Sequence, residues 1–208
     1  MPHADRDRHP SEPRAVAELK ASIRAEHLER RASLSVSQRD AQDLAALAVA
    51  RRALTDGPAT VACYLSRAPE PDTLGLVEWL FASGRQVLVP VLGRQADGAP
   101  RREPDWAWFD GRTHPGLWGI PDPDGRPLGP DALASVDLVL CSALAVSRDG
   151  HRLGVGGGWF DRALRWRRPG TPVWALIRSG ELVERLPWAP DDERVDAALT
   201  PDGLISVG

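Results

Sequence analysis

From Arg14 to about Arg31, the apolar residues Val16, Leu19, Ile23 and Leu28 return at roughly helical intervals among charged ones, which predicts an amphipathic helix. The polar stretch LSVSQRD interrupts it, and Ser35 or Ser37 is placed to cap a second helix running through Leu54. Beyond the turn TDGP the pattern changes. ATVACYL is a β-rich run, SRAPEP a loop, Asp72 to Ala82 a helix capped by Asp72 or Thr73 and stopped at Gly84, and QVLVPVL a second strand. Strand, helix and strand within about 35 residues make a βαβ unit, whose strands are parallel neighbours in a covered sheet.

Residues 93 to 130, rich in Gly, Pro, Arg and Trp, read as mostly irregular, with DWAWFD an edge strand. An excursion of that length usually serves a site. VDLVLCSALAV is the most apolar run and predicts a central strand; SRDGHRLGVGGG then turns the chain into a helix, WFDRALRWRR. TPVWALI reads as another buried strand, and a short one near RVDAALT closes the fold. The pattern predicts an α/β fold: one domain over residues 14–208, with an open, mostly parallel sheet covered by helices, preceded by a disordered tail at 1–13. In such sheets ligands lie beyond the carboxyl ends of the strands.

Charge and composition narrow the partners. A net charge of −3, a pI near 6.0 and no basic stripe favour neither nucleic acid nor an anionic membrane, and point to a small soluble ligand. No run of ~20 apolar residues is present to span a bilayer, so the expected location is the cytoplasm; the expected state is a monomer. Cys63 and Cys141 lie inside apolar runs, without zinc spacing, and read as small buried hydrophobes. Among 26 basic residues Lys20 is the one lysine. Lysine offers a compact, rotatable charge where arginine offers a planar fork, so Lys20 is a candidate phosphate or oxyanion contact, the alternative being a solvated surface position.

The densest chemical signal is Arg152-Leu-Gly-Val-Gly-Gly-Gly-Trp-Phe-Asp161. Gly154, Gly156, Gly157 and Gly158 let the backbone come close to a ligand and present its N–H groups, and the following helix adds its positive end, which together suit a phosphate. It is neither a Walker A loop nor a dinucleotide fingerprint, and a tight strand-to-helix turn is the other reading. Asp161, in the first turn, either holds Mg²⁺ against bound phosphates or satisfies the helix dipole. Lys20 and Arg24 share one helix face and either straddle an anion or lie in solvent.

In this combination the chain resembles the 5-formyltetrahydrofolate cyclo-ligase family. LGVGGGWFDRAL, after an apolar strand and SRDGHR, is similar to that family's Arg-Leu-Gly-x-Gly-x-Gly-Tyr-Tyr-Asp nucleotide-binding signature. Lys20 and Arg24 match its ATP-contacting helix, Tyr64-Leu65-Ser66 to Glu70-Pro71-Asp72-Thr73 its folate-side loop, Leu117-Trp-Gly-Ile-Pro-Asp-Pro123 its Gly-Ile-x-Glu-Pro turn, and Asp191 to Asp196 its acidic carboxyl-terminal segment. Five motifs run in order from about residue 16 to 201.

The resemblance implies an ATP- and Mg²⁺-dependent ligase that converts 5-formyltetrahydrofolate to 5,10-methenyltetrahydrofolate, with ADP and phosphate as products. It implies Lys20 and Arg152 as catalytic residues. Lys20, Arg24, Arg152, Leu153, Gly154, Val155, Gly156, Gly157, Gly158, Trp159 and Phe160 would bind the nucleotide. Leu65, Glu70, Trp118 and Trp159 would bind the reduced folate, and Asp161 and Asp192 would bind magnesium.

Two departures stand out. The family's Pro-Gly-Leu-Ala-Phe-Asp is here Ser142-Ala-Leu-Ala-Val-Ser147, and its paired tyrosines are Trp159 and Phe160. They leave two further readings: a paralogue cyclising another amide, or a folate- or nucleotide-binding protein without turnover. Trp79, Trp174 and Trp188 read as core or seam packing, Trp106, Trp108 and Trp118 as either packing or a pterin slot, and His151 as a turn residue.

Overall fold

In the computed structural model, which describes residues 14–95, 98, 99, 101 and 103–208, the first helix, α1 (Arg14–Ser33), forms where the pattern places it but buries a different face. The tail expected at 1–13 falls outside the described residues. Leu19 and Leu28 are nine residues apart, two and a half turns at 3.6 residues per turn, so they point to opposite sides and stay exposed. What α1 buries is the ridge Lys20, His27 and Arg31, with Arg24 half-buried beside it. Lys20 and Arg31 tolerate burial there because each finds a carboxylate across the fold, Asp192 and Glu181.

The second helix, α2 (Val36–Ala53), is capped by Ser35, not Ser37. The Gln38 N–H donates to Ser35 Oγ at 3.2 Å and the Ser35 N–H to Gln38 Oε1 at 2.8 Å, a reciprocal capping box. The βαβ unit is present: β1 (Thr60–Cys63), α3 (Leu74–Ala82) and β2 (Gln86–Pro90), with Val61 opposite Val87 in parallel register. At the start of α3, Asp72 accepts from the N–H groups of Leu74 and Gly75. Thr73 faces inward, where its hydroxyl donates to the Tyr64 carbonyl at 2.6 Å and accepts from the Ser66 N–H at 3.0 Å. That cross-link shapes the loop leaving β1.

The 93–130 excursion carries more order than its composition indicates. β3 (Trp106–Trp108) runs antiparallel along β2 at the sheet edge, as expected of DWAWFD, and β4 (Thr113–Pro115) and β5 (Pro121–Pro123) form a hairpin around the 3-10 turn Leu117–Gly119. A second 3-10 turn, Pro130–Ser135, leads to β6. Short-range propensity misses such strands because their pairing partners lie elsewhere in the chain.

The long apolar run is two strands, not one. β6 (Leu138–Ser142) lies between β1 and the later β9 (Val173–Leu176), whereas β7 (Ala145–Ser147) leaves the main sheet and joins β8 (Arg152–Leu153) and β10 (Leu182–Val183) in a smaller one. The helix expected at 159–168 is α4 (Trp159–Leu164); tighter i to i−3 bonds at Trp166 and Arg167 end it ahead of Pro169 and Gly170. β11 (Ala197–Thr200) forms as expected and is followed by an antiparallel partner, β12 (Gly203–Ser206).

The seven strands of the main sheet run in the order β12-β11-β9-β6-β1-β2-β3, parallel from β11 through β2. Strand interiors such as Val61, Ala62, Leu88, Val139, Leu140 and Ala175 are buried, as are Cys63 and Cys141. From β1 the chain moves one way to β2, and from β6 it moves the other way to β9 and β11. The crevice beyond the carboxyl ends of β1 and β6 is therefore the topological switch point, where α/β sheets bind ligands. Among the described residues no helix is long and apolar enough to cross a membrane.

Candidate active site

The loop from Gly154 to Gly158 leaves β8 at that edge. Gly156 has φ of 111° and Gly158 of 60°, conformations that side chains disfavour, and Gly158 directly precedes α4. Arg162 Nη1 donates back to the Gly157 carbonyl at 3.1 Å, closing the turn, while Val155 is exposed at its tip. A Cβ added at Gly157 would meet nothing within 4 Å, so that position opens onto space. At six residues α4 contributes less dipole than the longer helix expected.

α1 brings its cations onto this loop. Arg24 Nε donates to the Gly154 carbonyl at 3.0 Å, and the Lys20 ammonium lies 2.7 Å from Asp192 Oδ2, which also accepts from the Ala189 N–H at 2.8 Å. Arg152 Nη2 donates to Asp161 Oδ1 at 2.6 Å, and the Glu193 N–H reaches the same oxygen at 3.2 Å. The guanidinium of Arg152 lies 5.9 Å from the centre of the Phe160 ring. Thus the two carboxylates picked out in the sequence are each paired with one of the picked-out cations. Their hydrogen bonds fall on one oxygen of each carboxylate, Oδ1 of Asp161 and Oδ2 of Asp192. Among the described residues no group of three or more His, Cys, Asp or Glu side chains is arranged for a metal. A pair of hard oxygen donors completed by substrate phosphates and water is what Mg²⁺ takes, so these residues fit that ion.

The other wall is the loop after β1. Leu65 is buried, and Glu70 Oε2 accepts from the Arg67 N–H at 3.0 Å. Burial pushes the Glu70 carboxyl above the ordinary glutamate range, against that hydrogen bond and the charges of Arg31 and Arg67. Arg67 Nη1 donates to the Trp118 carbonyl at 2.6 Å, tying this loop to the turn of the β4–β5 hairpin. Trp118 is 68 % exposed and has φ of 58°. A non-glycine residue held there signals backbone strain that the Arg67 contact helps maintain.

Aromatic edges join the walls. Trp159 meets Trp106 at 5.1 Å and Phe160 at 4.9 Å between ring centroids, and Phe160 meets Tyr64 at 6.4 Å. Trp106 is fully buried in this seam, so of its two readings packing holds; Trp108 packs half-buried on the core. Trp79 and Trp174 pack against the core as expected, but Trp188 is 51 % exposed and stacks on His151 at 5.1 Å and 6°. His151 ends the β7–β8 turn, as expected, its carbonyl accepting from the Ser147 N–H at 2.8 Å, and its side chain is buried. Its Nε2 is 3.2 Å from Arg194 Nη2, and burial followed by the Arg194 charge lowers its pKa. Ser147, in the position of the family's acidic residue, bonds to Asp149 and to the His151 carbonyl.

Sequence reading missed Arg31, Arg67, Arg178, Glu181 and Glu193. Arg31 was detectable, being eleven residues from Lys20 on the same helical ridge. The others sit in loops with no periodic signal.

The family model of the 5-formyltetrahydrofolate cyclo-ligase family matches residues 16–201. The chain is 32% identical over 154 residues to a 5-formyltetrahydrofolate cyclo-ligase of Mycolicibacterium smegmatis, covering 71% of this chain and 77% of that one. To the enzyme of the same name from Escherichia coli it is 32% identical over 148 residues, covering 68% and 78%. The fold is that of the 5,10-methenyltetrahydrofolate synthetase of Aquifex aeolicus, with a TM-score of 0.72 at 23% identity over 90% of this chain and 92% of that one. The corresponding protein of Mycoplasma pneumoniae superposes with a TM-score of 0.66 at 20% identity over 88% and 98%. With nearly the whole length matched in order, and the same fold beneath it, this chain belongs to the 5-formyltetrahydrofolate cyclo-ligase family.

Proposed function

We propose that the chain closes 5-formyltetrahydrofolate to 5,10-methenyltetrahydrofolate at the cost of ATP, releasing ADP and phosphate. The observation that carries the proposal is the approach of α1 to the glycine loop, with Arg24 on the Gly154 carbonyl and Lys20 on Asp192, beside Arg152 and Asp161. Three cations and a ligand-approachable backbone gathered at the sheet's switch point suit a polyphosphate.

A formamide carbon is a poor electrophile and its oxygen a poor leaving group. In the proposed route the formyl oxygen attacks the γ-phosphate and ADP leaves, N10 attacks the resulting imidate carbon, and phosphate departs, taking up the proton that N10 loses. Phosphoryl transfer of this kind is accelerated by positioning and charge neutralisation. Lys20 and Arg152 supply that neutralisation, Arg24 holds the loop against α1, and Gly154 to Gly158 offer main-chain amides to the phosphates. Asp161 and Asp192 would hold Mg²⁺, which supplies further neutralisation of the phosphate oxygens when bound. Glu70 accepts hydrogen bonds from the pterin beside Leu65, and Trp118 and Trp159 offer apolar surface. The replacements Trp159 and Phe160 keep ring area without hydroxyls, consistent with a packing role. The protein is taken to act as a monomer in the cytoplasm, where both substrates are available.

The test is direct. Purified protein mixed with 5-formyltetrahydrofolate and MgATP is expected to develop the absorbance of the methenyl product, and to fail when ATP or magnesium is left out. Folate and nucleotide uptake in calorimetry without product or ADP would instead support a binding protein. ADP formation with another amide only would support a paralogue.

A further inference from the structure

We infer that Arg178, at the end of β9, is a positioning residue for the substrate wall, a role that rests on Glu70 being the folate-binding carboxylate. Arg178 is 2 % exposed, and its guanidinium points at the loop after β1. Nε donates to the Pro69 carbonyl at 3.1 Å, Nη2 to the Glu70 carbonyl at 2.8 Å, and Nη1 to Asp43 Oδ1 of α2 at 3.1 Å. Asp43 Oδ1 also accepts from the Asp72 N–H at 3.1 Å. One buried ion pair thus grips residues 69, 70 and 72 by their main chain.

Arg178 is itself fixed. Its own N–H donates to Glu181 Oε2 at 2.8 Å, and Arg31 of α1 clamps the Glu181 carboxylate from Nε at 2.7 Å and Nη2 at 2.6 Å. Arg31 Nη2 also donates to the Ala143 carbonyl, just past β6, at 2.6 Å. The helix that carries Lys20 and Arg24 is therefore joined to the Glu70 loop by a continuous run of charge-assisted hydrogen bonds. The loop needs that grip, because residues 64–73 have no regular structure. Arg178 touches only the main chain of Glu70, so it sets where the carboxylate stands without competing for it. A guanidinium donates from three separate nitrogens held in one plane, whereas an ammonium donates from a single nitrogen, so lysine reproduces only part of this grip.

The experiment compares Arg178→Met, Arg178→Lys, Glu70→Ala and the double variant Glu70→Ala with Arg178→Met. KM for each substrate is measured together with calorimetric affinity for 5-formyltetrahydrofolate. Arg178→Met is expected to raise the folate KM by about tenfold while the ATP KM stays within about twofold, with Arg178→Lys recovering part of the loss. Added to Glu70→Ala, Arg178→Met is expected to change little, because both act through one carboxylate. A folded Arg178→Met that moves both KM values alike, or neither, overturns the inference, as does its full effect persisting in the Glu70→Ala background. If Arg178→Met does not fold, Arg178→Lys decides: folded with a wild-type folate KM, it rejects the role. A Glu70→Ala that leaves folate binding intact removes the reading of Glu70 and this inference together, whereas a Glu70→Ala defect with Arg178 silent removes only the latter.

Discussion

Lys20 and Asp192, 172 residues apart in the chain, meet as an ion pair with the ammonium nitrogen 2.7 Å from Oδ2 and side chains only 5% and 14% exposed. The pair unites a cation assigned to phosphate with a carboxylate assigned to magnesium. An ammonium has three donors, so Lys20 can keep Asp192 oriented and still reach an oxyanion. Asp192 is held from a second side by the Ala189 N–H, which limits how far it moves if Lys20 is lost.

For Lys20→Ala the expected result is therefore a large functional loss and a moderate structural one. The KM for ATP should rise by about tenfold or more. Stability should fall by about 1–3 kcal/mol, since Asp192 loses its charged partner but keeps a hydrogen bond. Urea unfolding and steady-state kinetics measure the two separately, and unchanged ATP kinetics would take Lys20 out of the site.

Adjacent glycines of the loop should behave differently. Gly158 has φ of 60°, and an added Cβ would lie 3.2 Å from Arg162 Nη1, so Gly158→Ala should cost about 1–2 kcal/mol in stability. Gly157 has no such restriction and open space around a Cβ. Gly157→Ala should melt like the parent yet bind ATP more weakly, because the methyl group occupies the room a phosphate needs. Wild-type nucleotide affinity in Gly157→Ala would place the phosphates elsewhere.

Glu70 gives a pH signature. Burial raises its pKa, so on acidification it takes up a proton at a higher pH than an ordinary glutamate, and the acceptor for the pterin is lost there. Folate KM should climb as pH falls through that raised value, while Glu70→Gln should give a flatter profile at lower affinity. For folding the sign is opposite. A raised folded-state pKa contributes stability complete below the unfolded value and lost as pH rises through the folded one, so Glu70→Gln should be slightly more stable at neutral pH. Parallel profiles in the two proteins would exclude Glu70 as the titrating group.

Two buried histidines act in the other direction. The pKa of His27 is lowered by burial first, with Arg30 and Arg31 lowering it further against Glu181 and Glu26. That of His151 is lowered by burial and then by Arg194. A depressed folded-state pKa contributes stability present above the unfolded value, about 6.5, and lost as pH falls through the folded one. Denaturant midpoints should drop between neutral and mildly acidic pH, and the drop should shrink in His27→Gln. A midpoint with the same pH dependence in the variant would show that His27 does not carry it.

Local pattern was enough for the βαβ unit, the edge strand at Trp106–Trp108, the second helix with Ser35 as a possible cap, and the glycine loop leading into a helix. In each, the deciding interactions lie within a few residues: alternation, capping, and the φ freedom of glycine. The motif residues of the site, from Lys20 and Arg24 to Gly154–Gly158, Asp161 and Asp192, could likewise be nominated from spacing and resemblance. Partnership could not. No periodicity tells that Lys20 pairs with Asp192, that Arg31 clamps Glu181, or that Arg178 holds the Glu70 loop, because those energies depend on where distant loops come to rest. The same reason made α1 misleading: its leucines looked like the inward stripe, yet a polar ridge is buried because charges from the other end of the chain wait there to receive it. The division of 138–147 between two sheets also lay beyond local pattern, since a strand's apolar run records that it is buried but not which neighbours bury it.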